Sequence, residues 1–260
     1  MIRALWTAAT GMNAQQLNLD VIAHNLANVN TTGFKKSRAE FQDLIYQTLR
    51  AAGTETAGGQ QIPTGIQIGM GTKPISVQKQ FTQGDYNQTE RPLDLAIEGD
   101  GFFRILSNGQ EVYTRSGAFK LNSTGTIVDS EGNVVQPEFA VPAETVQISI
   151  DSGGNITALD SAGAELAATR LTLVRFQNPG GLFAMGKNLY GQTEASGAPI
   201  EGNPGEEGYG SIAQGFLEMS NVDVVTEMVN MIVAQRAYEI NSKAIQSADE
   251  MLGIASNVKR

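Results

Sequence analysis

The residue types that usually carry enzyme chemistry are scarce in this chain. It has one histidine, His24, and no cysteine, which excludes a disulfide framework, a thiol nucleophile and a thiolate metal site. Zinc would need three carboxylate ligands beside His24, an unusual set for that metal. We expect His24 to be a packed or solvated polar residue on a helix, and we predict no metal and no cofactor.

Carboxylates are the remaining candidates for acid–base chemistry. Asp94 and Glu98 could serve a glycosidase, but their even spacing in a strand-like run puts them on one face, which we expect to be solvated. Residues 129–133 begin like a calcium loop but lack its spacing, so we expect a turn. Residues 99–104 lack the third glycine of a dinucleotide fingerprint and precede a strand. The sequence therefore predicts no catalytic constellation and no enzyme.

Composition narrows the class of protein further. The chain has 260 residues, of which 41% are hydrophobic, enough for a substantial core, and 29 are glycines, typical of many turns. A net charge of −9 argues against a nucleic-acid partner, since phosphate binding needs a basic surface. The chain has no run of about 18 apolar residues, so the sequence predicts no membrane-spanning helix. Polar residues from Thr7 onward interrupt the apolar stretch that a signal peptide requires.

Heptad-like stripes predict a long helix at each end of the chain. The first occupies residues 1–33 and ends within residues 28–33, where Asn and Gly tolerate the left-handed cap. The second lies within residues 211–260, with a capping box at residues 220–223, and runs for about 35 residues, or about 50 Å. Polar residues interrupt both stripes: Gln16, Gln235, Ser242 and Asp249.

The middle of the chain reads as β structure. Residues 34–72 form an extended Gly/Thr/Gln-rich linking segment, and residues 73–210 a β-rich outer domain. Asn108-Gly109 between two apolar runs is the strongest hairpin signal. The predicted fold class is α+β: long N- and C-terminal helices in a coiled-coil-like assembly core, with a central, mostly antiparallel β domain.

The pattern leaves open what the terminal helices pack against. An intramolecular hairpin is one possibility. Because polar residues interrupt the stripes, an isolated pair would be a weak coiled coil, which favours a subunit whose termini become ordered on assembly.

Five sequence blocks resemble the flagellar rod and hook proteins. They are residues 23–35 (AHNLANVNTTGFK), 91–103 (RPLDLAIEGDGFF), 113–119 (YTRSGAF), 217–225 (LEMSNVDVV) and 235–243 (QRAYEINSK). The blocks lie at both ends and in the middle, so the resemblance covers essentially the whole chain. Its length and the TTGFK and AYEINSK forms are most similar to the distal-rod branch.

The resemblance implies a structural subunit that polymerises with itself into a helical tube, the distal rod, and transmits motor torque to the hook. It implies proximal-rod and hook axial proteins, the surrounding ring bushing and the flagellar export apparatus as partners. It also implies type III export without a cleaved signal peptide, and a rod that crosses the periplasm and the outer-membrane ring region. Alternatives are a hook-type or proximal-rod subunit, a peptidoglycan-acting enzyme, and a carbohydrate-binding surface protein.

The assembly interface is expected on the two helices, in the turn after the first helix, and in the segment Tyr46–Ile68. That segment is rich in glycine, and the resemblance implies that it bridges neighbouring subunits. The expected interface residues are Ile2, Leu5, Met12, Leu19, Leu26, Asn28, Thr32, Gly33, Phe34, Gly53, Pro63, Gly65, Met228, Met231, Tyr238, Ile245 and Leu252.

Overall fold

The chain folds into two helices and a mostly antiparallel β-rich body, so the predicted α+β class is confirmed. The computed structural model describes residues 2–53, 63–206 and 208–258. In chain order the elements are α1 (Ile2–Ala27), β1 (Ser37–Asp43), β2 (Tyr46–Arg50), β3 (Ile66–Gly69), β4 (Thr72–Lys79), β5 (Tyr86–Gln88), β6 (Leu95–Glu98), β7 (Phe102–Ser107), β8 (Gln110–Thr114), β9 (Lys120–Leu121), β10 (Ile127–Val128), β11 (Val134–Gln136), β12 (Gln147–Ile150), β13 (Asn155–Leu159), β14 (Glu165–Arg170), β15 (Leu173–Arg175), a 3-10 turn (Pro179–Gly181), β16 (Phe183–Gly186), β17 (Leu189–Gly191), β18 (Ile200–Gly202), β19 (Ser211–Gln214), β20 (Phe216–Glu218) and α2 (Val224–Val258).

These elements form two compact units. The helical unit comprises residues 1–26, 37–78 and 224–260 and contains α1, α2 and the strand pairs β1–β4 and β2–β3. The β unit comprises residues 27–36 and 79–223. Within the described residues, no helix has an apolar stretch of the length and hydropathy that crossing a bilayer requires.

Both terminal helices are present where the heptad-like stripes predict them. α1 ends at Ala27, and the chain turns through residues 28–33, as expected from the Asn and Gly residues there. α2 has 35 residues, the predicted length, but it begins at Val224. The predicted capping box is wrong. The Ser220 hydroxyl accepts from the backbone N–H of Val222 (3.3 Å), ahead of the helix, because residues 216–218 form a strand.

The centre of the β unit is a nine-stranded sheet in the order β16-β17-β8-β7-β11-β10-β9, with β15 pairing with β7 and β18. The predicted hairpin joins β7 and β8: Asn108 and Gly109 have φ angles of 51° and 79°. Positive φ at both positions is the signature of a type I′ turn, whose twist matches the strands that it joins. The hairpin prediction is therefore confirmed.

The nine-stranded sheet is buried on both faces at the start of β7. Successive side chains of a strand point to opposite faces, and Phe102 and Phe103 each enter a different core. Phe103 belongs to the larger core, where it contacts the Phe119 ring with centroids 5.1 Å apart. Phe102 belongs to the smaller core with Tyr113, Phe176 and other buried residues.

β6 corrects the expectation of a solvated carboxylate face. Asp94 is only 3% exposed and Ala96 is fully buried, whereas Glu98 is exposed. The reason is that β6 pairs with β19 while the segment at Gly117 crosses it: the Gly117 carbonyl accepts from Leu95 N–H at 3.0 Å. A Cβ at Gly117 would lie 1.8 Å from the Leu95 carbonyl oxygen, so this close crossing requires glycine.

Residues 129–133 form the expected turn. Asp129 Oδ1 accepts from the backbone N–H groups of Glu131 (2.8 Å) and Asn133 (2.9 Å), and its Oδ2 accepts from the Asn133 side-chain amide (2.8 Å). The carboxylate thus holds its own loop in shape, as Asp does in turns.

The buried Tyr190 gives the fold a specific alkaline sensitivity. Burial in the smaller core raises the pKa of Tyr190 to about 12, from 10.0. Because the unfolded chain ionises first, the stability that the neutral phenol confers is complete below about pH 10 and is lost as the pH rises toward 12. We expect the wild type to lose about 3 kcal/mol of unfolding free energy over this window that the Tyr190→Phe variant retains.

Urea unfolding of both proteins between pH 8 and pH 12 measures this difference. Tyr209→Phe, in the same unit, is the control for loss of a tyrosine hydroxyl. Parallel pH curves for wild type and Tyr190→Phe would show that Tyr190 does not set the alkaline limit.

Candidate functional site

The β unit contains an ion pair that is fully sealed from solvent. The Lys35 ammonium lies 2.5 Å from Glu218 Oε1, and both side chains have 0% exposure. Lys35 Nζ also donates to the Thr82 carbonyl at 2.7 Å, and the backbone N–H of Gly84 donates to Glu218 Oε1 at 3.0 Å. Such a pair is tolerated inside a protein only when both partners are present and hydrogen-bonded.

A second cation faces the same carboxylate. Arg115, 3% exposed, places Nη1 at 3.7 Å from Glu218 Oε2, and its Nη2 donates to the Gly99 carbonyl at 2.6 Å. Burial lowers the pKa of Lys35; Glu218 opposes this shift and Arg115 reinforces it. Burial likewise lowers the pKa of Arg115, again opposed by Glu218. Glu218 is thus the shared counter-charge of both cations.

The turn after α1 delivers Lys35 to this position. Gly33 has φ +68°, and a Cβ there would lie 2.6 Å from the backbone nitrogen of Ser116. Its N–H donates to the Glu218 backbone carbonyl at 2.8 Å, and the Thr32 carbonyl accepts from the Asn188 side chain at 3.0 Å. Only glycine fits this conformation and this contact.

Of the expected interface residues, Asn28 and Thr32 are half-buried, and Gly33 and Phe34 are buried inside the β unit. The Lys79 ammonium lies 4.9 Å from the centre of the Phe34 ring. The sequence pattern did not single out Glu218, Lys35 or Arg115 as a cluster, although each lies in one of the blocks that carry the resemblance.

Asn221 makes a similar connection between distant segments. Its Oδ1 accepts from the backbone N–H of Lys36 (2.7 Å), and its Nδ2 donates to the Gln80 carbonyl (2.9 Å) and the Thr82 hydroxyl (2.8 Å). One side-chain amide thereby satisfies backbone groups of the two chain segments at the end of the β1–β4 pair, where the Gln80 N–H also donates to the Lys36 carbonyl at 2.9 Å.

In the helical unit, α1 and α2 meet in an antiparallel arrangement. Asn25 near the end of α1 donates to Glu227 Oε2 at 3.3 Å, at the start of α2. Two heptads earlier in α1, a Cβ on Gly11 would lie 3.0 Å from the side chain of Asn241, which is two heptads later in α2. The two contacts are separated by equal steps along α1 and α2 in opposite chain directions, so both belong to one register of an antiparallel helix pair.

The residues that α2 buries are small or polar and recur every seven positions: Glu227, Ala234, Asn241 and Ala248. Glu227, Ala234 and Ala248 are buried and Asn241 is half-buried. The predicted stripe residues Met231, Ile245 and Leu252 flank this line half-buried, Tyr238 is 39% exposed, and Met228 is 51% exposed.

The expectation that Gln235 and Asp249 interrupt the helix contact is wrong, because both are exposed beside it. Gln16 of α1 is likewise exposed. Each residue of α2 in the buried heptad series lies one position before a residue of the stripe predicted from the sequence. Small residues at heptad spacing are the sequence signal that indicates this buried series.

α1 buries small residues in the same way. Ala8 and Ala14 are buried, together with Ile22 and Asn25, whereas the predicted Leu5, Met12, Leu19 and Leu26 are half-buried. The side chain of Ile2 lies outside the described residues. His24 is exposed on α1.

The segment Tyr46–Ile68 contributes an antiparallel β ribbon, β2–β3, which the sequence pattern did not reveal. Gly65 lies close to β2: a Cβ there would lie 2.5 Å from the Arg50 carbonyl oxygen. Gly53 and Pro63 are exposed at the two sides of the connection. Residues 54–62 lie outside the described residues, so the structure places only the ends of the predicted bridging segment.

Three family models match the chain: "Flagella basal body rod protein" over residues 5–35, "Flagellar hook protein FlgE/F/G D1 domain" over residues 96–158, and "Flagellar basal body rod FlgEFG protein C-terminal" over residues 213–258. The chain is 53% identical to the flagellar basal-body rod protein FlgG of Borreliella burgdorferi, with 100% of both chains covered. It is 46% identical to that of Caulobacter vibrioides, covering 99% of this chain and 100% of the relative, and 40% identical to that of Bacillus subtilis, with both fully covered.

The chain belongs to the flagellar basal-body rod FlgG family. This confirms the resemblance read from the five sequence blocks, and it places all three residues of the buried ionic cluster in segments characteristic of the family. These relatives are named as flagellar basal-body rod proteins and not as enzymes, which agrees with the class of protein expected from the sequence.

Because Glu218 is the counter-charge of two cations, removing its charge and removing that of Lys35 should have unequal effects on stability. Glu218→Gln keeps the size of the side chain but leaves two buried cations without a carboxylate, so we expect a loss of about 3–5 kcal/mol of unfolding free energy. Lys35→Met leaves Glu218 paired with Arg115, so its loss should be clearly smaller. Urea unfolding of the purified variants measures both.

Glu131→Gln is the matched control, because it breaks an ion pair of the same length (2.5 Å) whose side chains are exposed. It should leave the unfolding free energy nearly unchanged. Equal losses for Lys35→Met and Glu218→Gln would contradict the role of Glu218 as the counter-charge of both cations.

Proposed function

We propose that the chain is a structural subunit of the flagellar distal rod, which polymerises through its terminal helices into a helical tube and transmits motor torque to the hook. Full-length similarity to rod proteins named FlgG supports the rod over a hook-type subunit. One structural observation supports polymerisation: α2 has a second apolar face.

This second face lies on the side of α2 opposite the small residues that pack toward α1. Val225, Val229, Ile232, Ile240 and Ile254 recur at helical spacing, and their exposed fractions are 70%, 53%, 57%, 66% and 64%. One apolar stripe suffices for a helix that packs on a single neighbour. Large aliphatic side chains gathered on one side of a helix in water mark an interaction site, even though Arg236 and Lys243 lie between them on that side. Further copies of the same helix are the partner that a homopolymer supplies.

The β2–β3 ribbon is a second surface suited to neighbours. On one face of the ribbon Ile66 and Ile68 are 46% and 38% exposed. Tyr46, on the other face, is 53% exposed, and so is Leu49 at the bulge between Thr48 and Arg50. A two-stranded ribbon has marginal stability in water unless something covers it. We therefore assign the segment Tyr46–Ile68 a mechanical role: it bridges subunits and stiffens the tube.

In this proposal the terminal helices (residues 1–33 and 211–260) form the inner, coiled-coil-like part of the tube. Residues 34–72 link them to the outer β-rich domain of residues 73–210. Proximal-rod and hook axial proteins adjoin the ends of the polymer, the ring bushing surrounds it where it crosses the periplasm and the outer-membrane ring region, and the type III apparatus exports the chain without a cleaved signal peptide. These partners follow from the resemblance.

A charge placed on the exposed face of α2 tests the polymer. Ile232→Asp should abolish rod formation, because assembly would bury an unpaired carboxylate. The monomer should keep its melting temperature, since the site is exposed in the single chain. Electron microscopy of basal bodies and a thermal melt of the purified chain measure the two effects.

Gln235→Asp is the matched control, since it adds the same charge to α2 at an exposed position beside that face. It should assemble far better than Ile232→Asp. Normal rods from Ile232→Asp would show that this face does not carry the assembly.

Deletion of residues 46–68 tests the ribbon. The Leu44 N–H donates to the Gly71 carbonyl at 2.8 Å, so the ends of the deletion already lie close together and β1–β4 can close. We expect an unchanged monomer melting temperature and rods that are shorter, bent or absent. The double variant Ile66→Ser/Ile68→Ser should act in the same direction, while Gln67→Ser, which lies between them in β3 and removes no apolar side chain, should not.

A normal straight rod after the deletion would reduce the ribbon to a linker. Loss of monomer folding would instead make the ribbon part of the core.

A further inference from the structure

A small pocket in the β unit is lined by charged groups whose ion-pair and hydrogen-bond partners are incomplete among the described residues. Its volume is about 200 Å³, and three aromatic rings (Phe81, Phe102, Phe176) line it together with Asp100, Arg115 and Arg175. The rings are in edge contact, with centroids 5.3 Å apart for Phe81 and Phe102 and 5.8 Å for Phe102 and Phe176. The pocket thus has stiff apolar walls and a charged lining.

The buried cluster behind the pocket carries excess positive charge. It has two cations, Lys35 and Arg115, and one anion, Glu218, and all three are nearly or fully buried. Glu218 Oε1 binds Lys35 at 2.5 Å, while its other oxygen stays 3.7 Å from Arg115. Arg115 donates instead to the neutral carbonyl oxygens of Ile97 and Gly99, and its Nε has no hydrogen-bond partner among the described residues.

Arg175 adds a second guanidinium to the pocket. It is half-buried, donates to the Gly208 carbonyl at 2.6 Å, and forms no ion pair within the described part of the chain. Asp100 is exposed and is the one carboxylate among the described residues that line the pocket. Counted over this described cluster, Lys35, Arg115 and Arg175 against Glu218 and Asp100 leave one positive charge over.

We propose that this pocket binds a carboxylate group. A carboxylate is planar and matches the guanidinium fork, and its single negative charge balances the surplus. A doubly charged phosphate would overcompensate and meet repulsion from Asp100. The carboxylate comes either from a free small organic acid or from an aspartate or glutamate side chain of a second copy of this chain.

Acetate is the probe, titrated into the ¹⁵N-labelled soluble chain, with sodium chloride at equal ionic strength as the comparison. The amide signals of Gly101 and Gln177, which line the pocket, should shift saturably with acetate and not with chloride. Arg175→Gln should weaken acetate binding at least about tenfold, and Asp100→Asn should tighten it severalfold because a like charge is removed. Arg170→Gln, whose exposed arginine pairs with Glu206, is the control and should bind like the wild type.

Shifts that are the same in both salts, or an unchanged acetate affinity in Arg175→Gln, would overturn the proposal. Asp100→Asn keeps the test decisive if Arg175→Gln unfolds, since Asp100 is exposed. Binding to the soluble chain is independent of the polymer, so it can succeed where the proposed rod function fails.

A second measurement identifies the source of the carboxylate. If acetate slows rod polymerisation of the wild type but not of Arg175→Gln, an acidic side chain of a second copy occupies the pocket. If polymerisation is indifferent to acetate, the ligand is a free small acid.

Discussion

The β unit depends on the requirement that a buried charge have a partner. Glu218 is the single carboxylate between two buried cations, Lys35 and Arg115, and these three residues come from segments that are far apart in the chain. None of the three side chains can be sealed from water without an oppositely charged partner, because an unpaired buried charge costs several kcal/mol. The cluster therefore couples the turn after α1, the β8–β9 connection and β20 into one cooperative event. It also explains why glycine is needed at position 33, where a side chain would push Lys35 away from its partner.

The helical unit is built on a different principle from the β unit. Its helix contact includes alanines, the close approach of Gly11 to Asn241 and the hydrogen bond from Asn25 to Glu227, whereas large aliphatic side chains of α2 remain exposed. Small residues let helix backbones approach closely but remove little apolar area from water. The β unit, by contrast, encloses two aromatic and aliphatic cores. One part of the chain thus encloses extensive apolar cores, and the other leaves large aliphatic side chains of α2 exposed.

How far the sequence predicts this structure depends on the range of the interactions involved. The Asn108-Gly109 hairpin and the two long helices follow from local patterns, since turn chemistry and heptad spacing act within a few residues. Asp94 was expected in solvent and is buried because Gly117, more than twenty positions later, crosses its strand. Ser220 was expected to cap α2, but long-range pairing of the preceding residues into β20 moves the helix start to Val224. The ionic cluster could not be read from spacing at all, because only the fold brings residues 35, 115 and 218 together.

Magnitudes indicate why such a chain would assemble cooperatively. Fully burying one large aliphatic side chain contributes about 1.5–3 kcal/mol, while association costs about 4–15 kcal/mol in lost translational and rotational freedom. A contact that covers one or two of the exposed α2 residues cannot offset that cost. Covering all five of the exposed aliphatic residues between Val225 and Ile254 can. Arg236 and Lys243 lie between them on that side of the helix, so several neighbours are needed to cover all five, and in a helical lattice each added copy touches several neighbours while losing its freedom once. Small residues between α1 and α2 and large ones outside therefore favour a polymer over a dimer, because only many simultaneous contacts make association favourable.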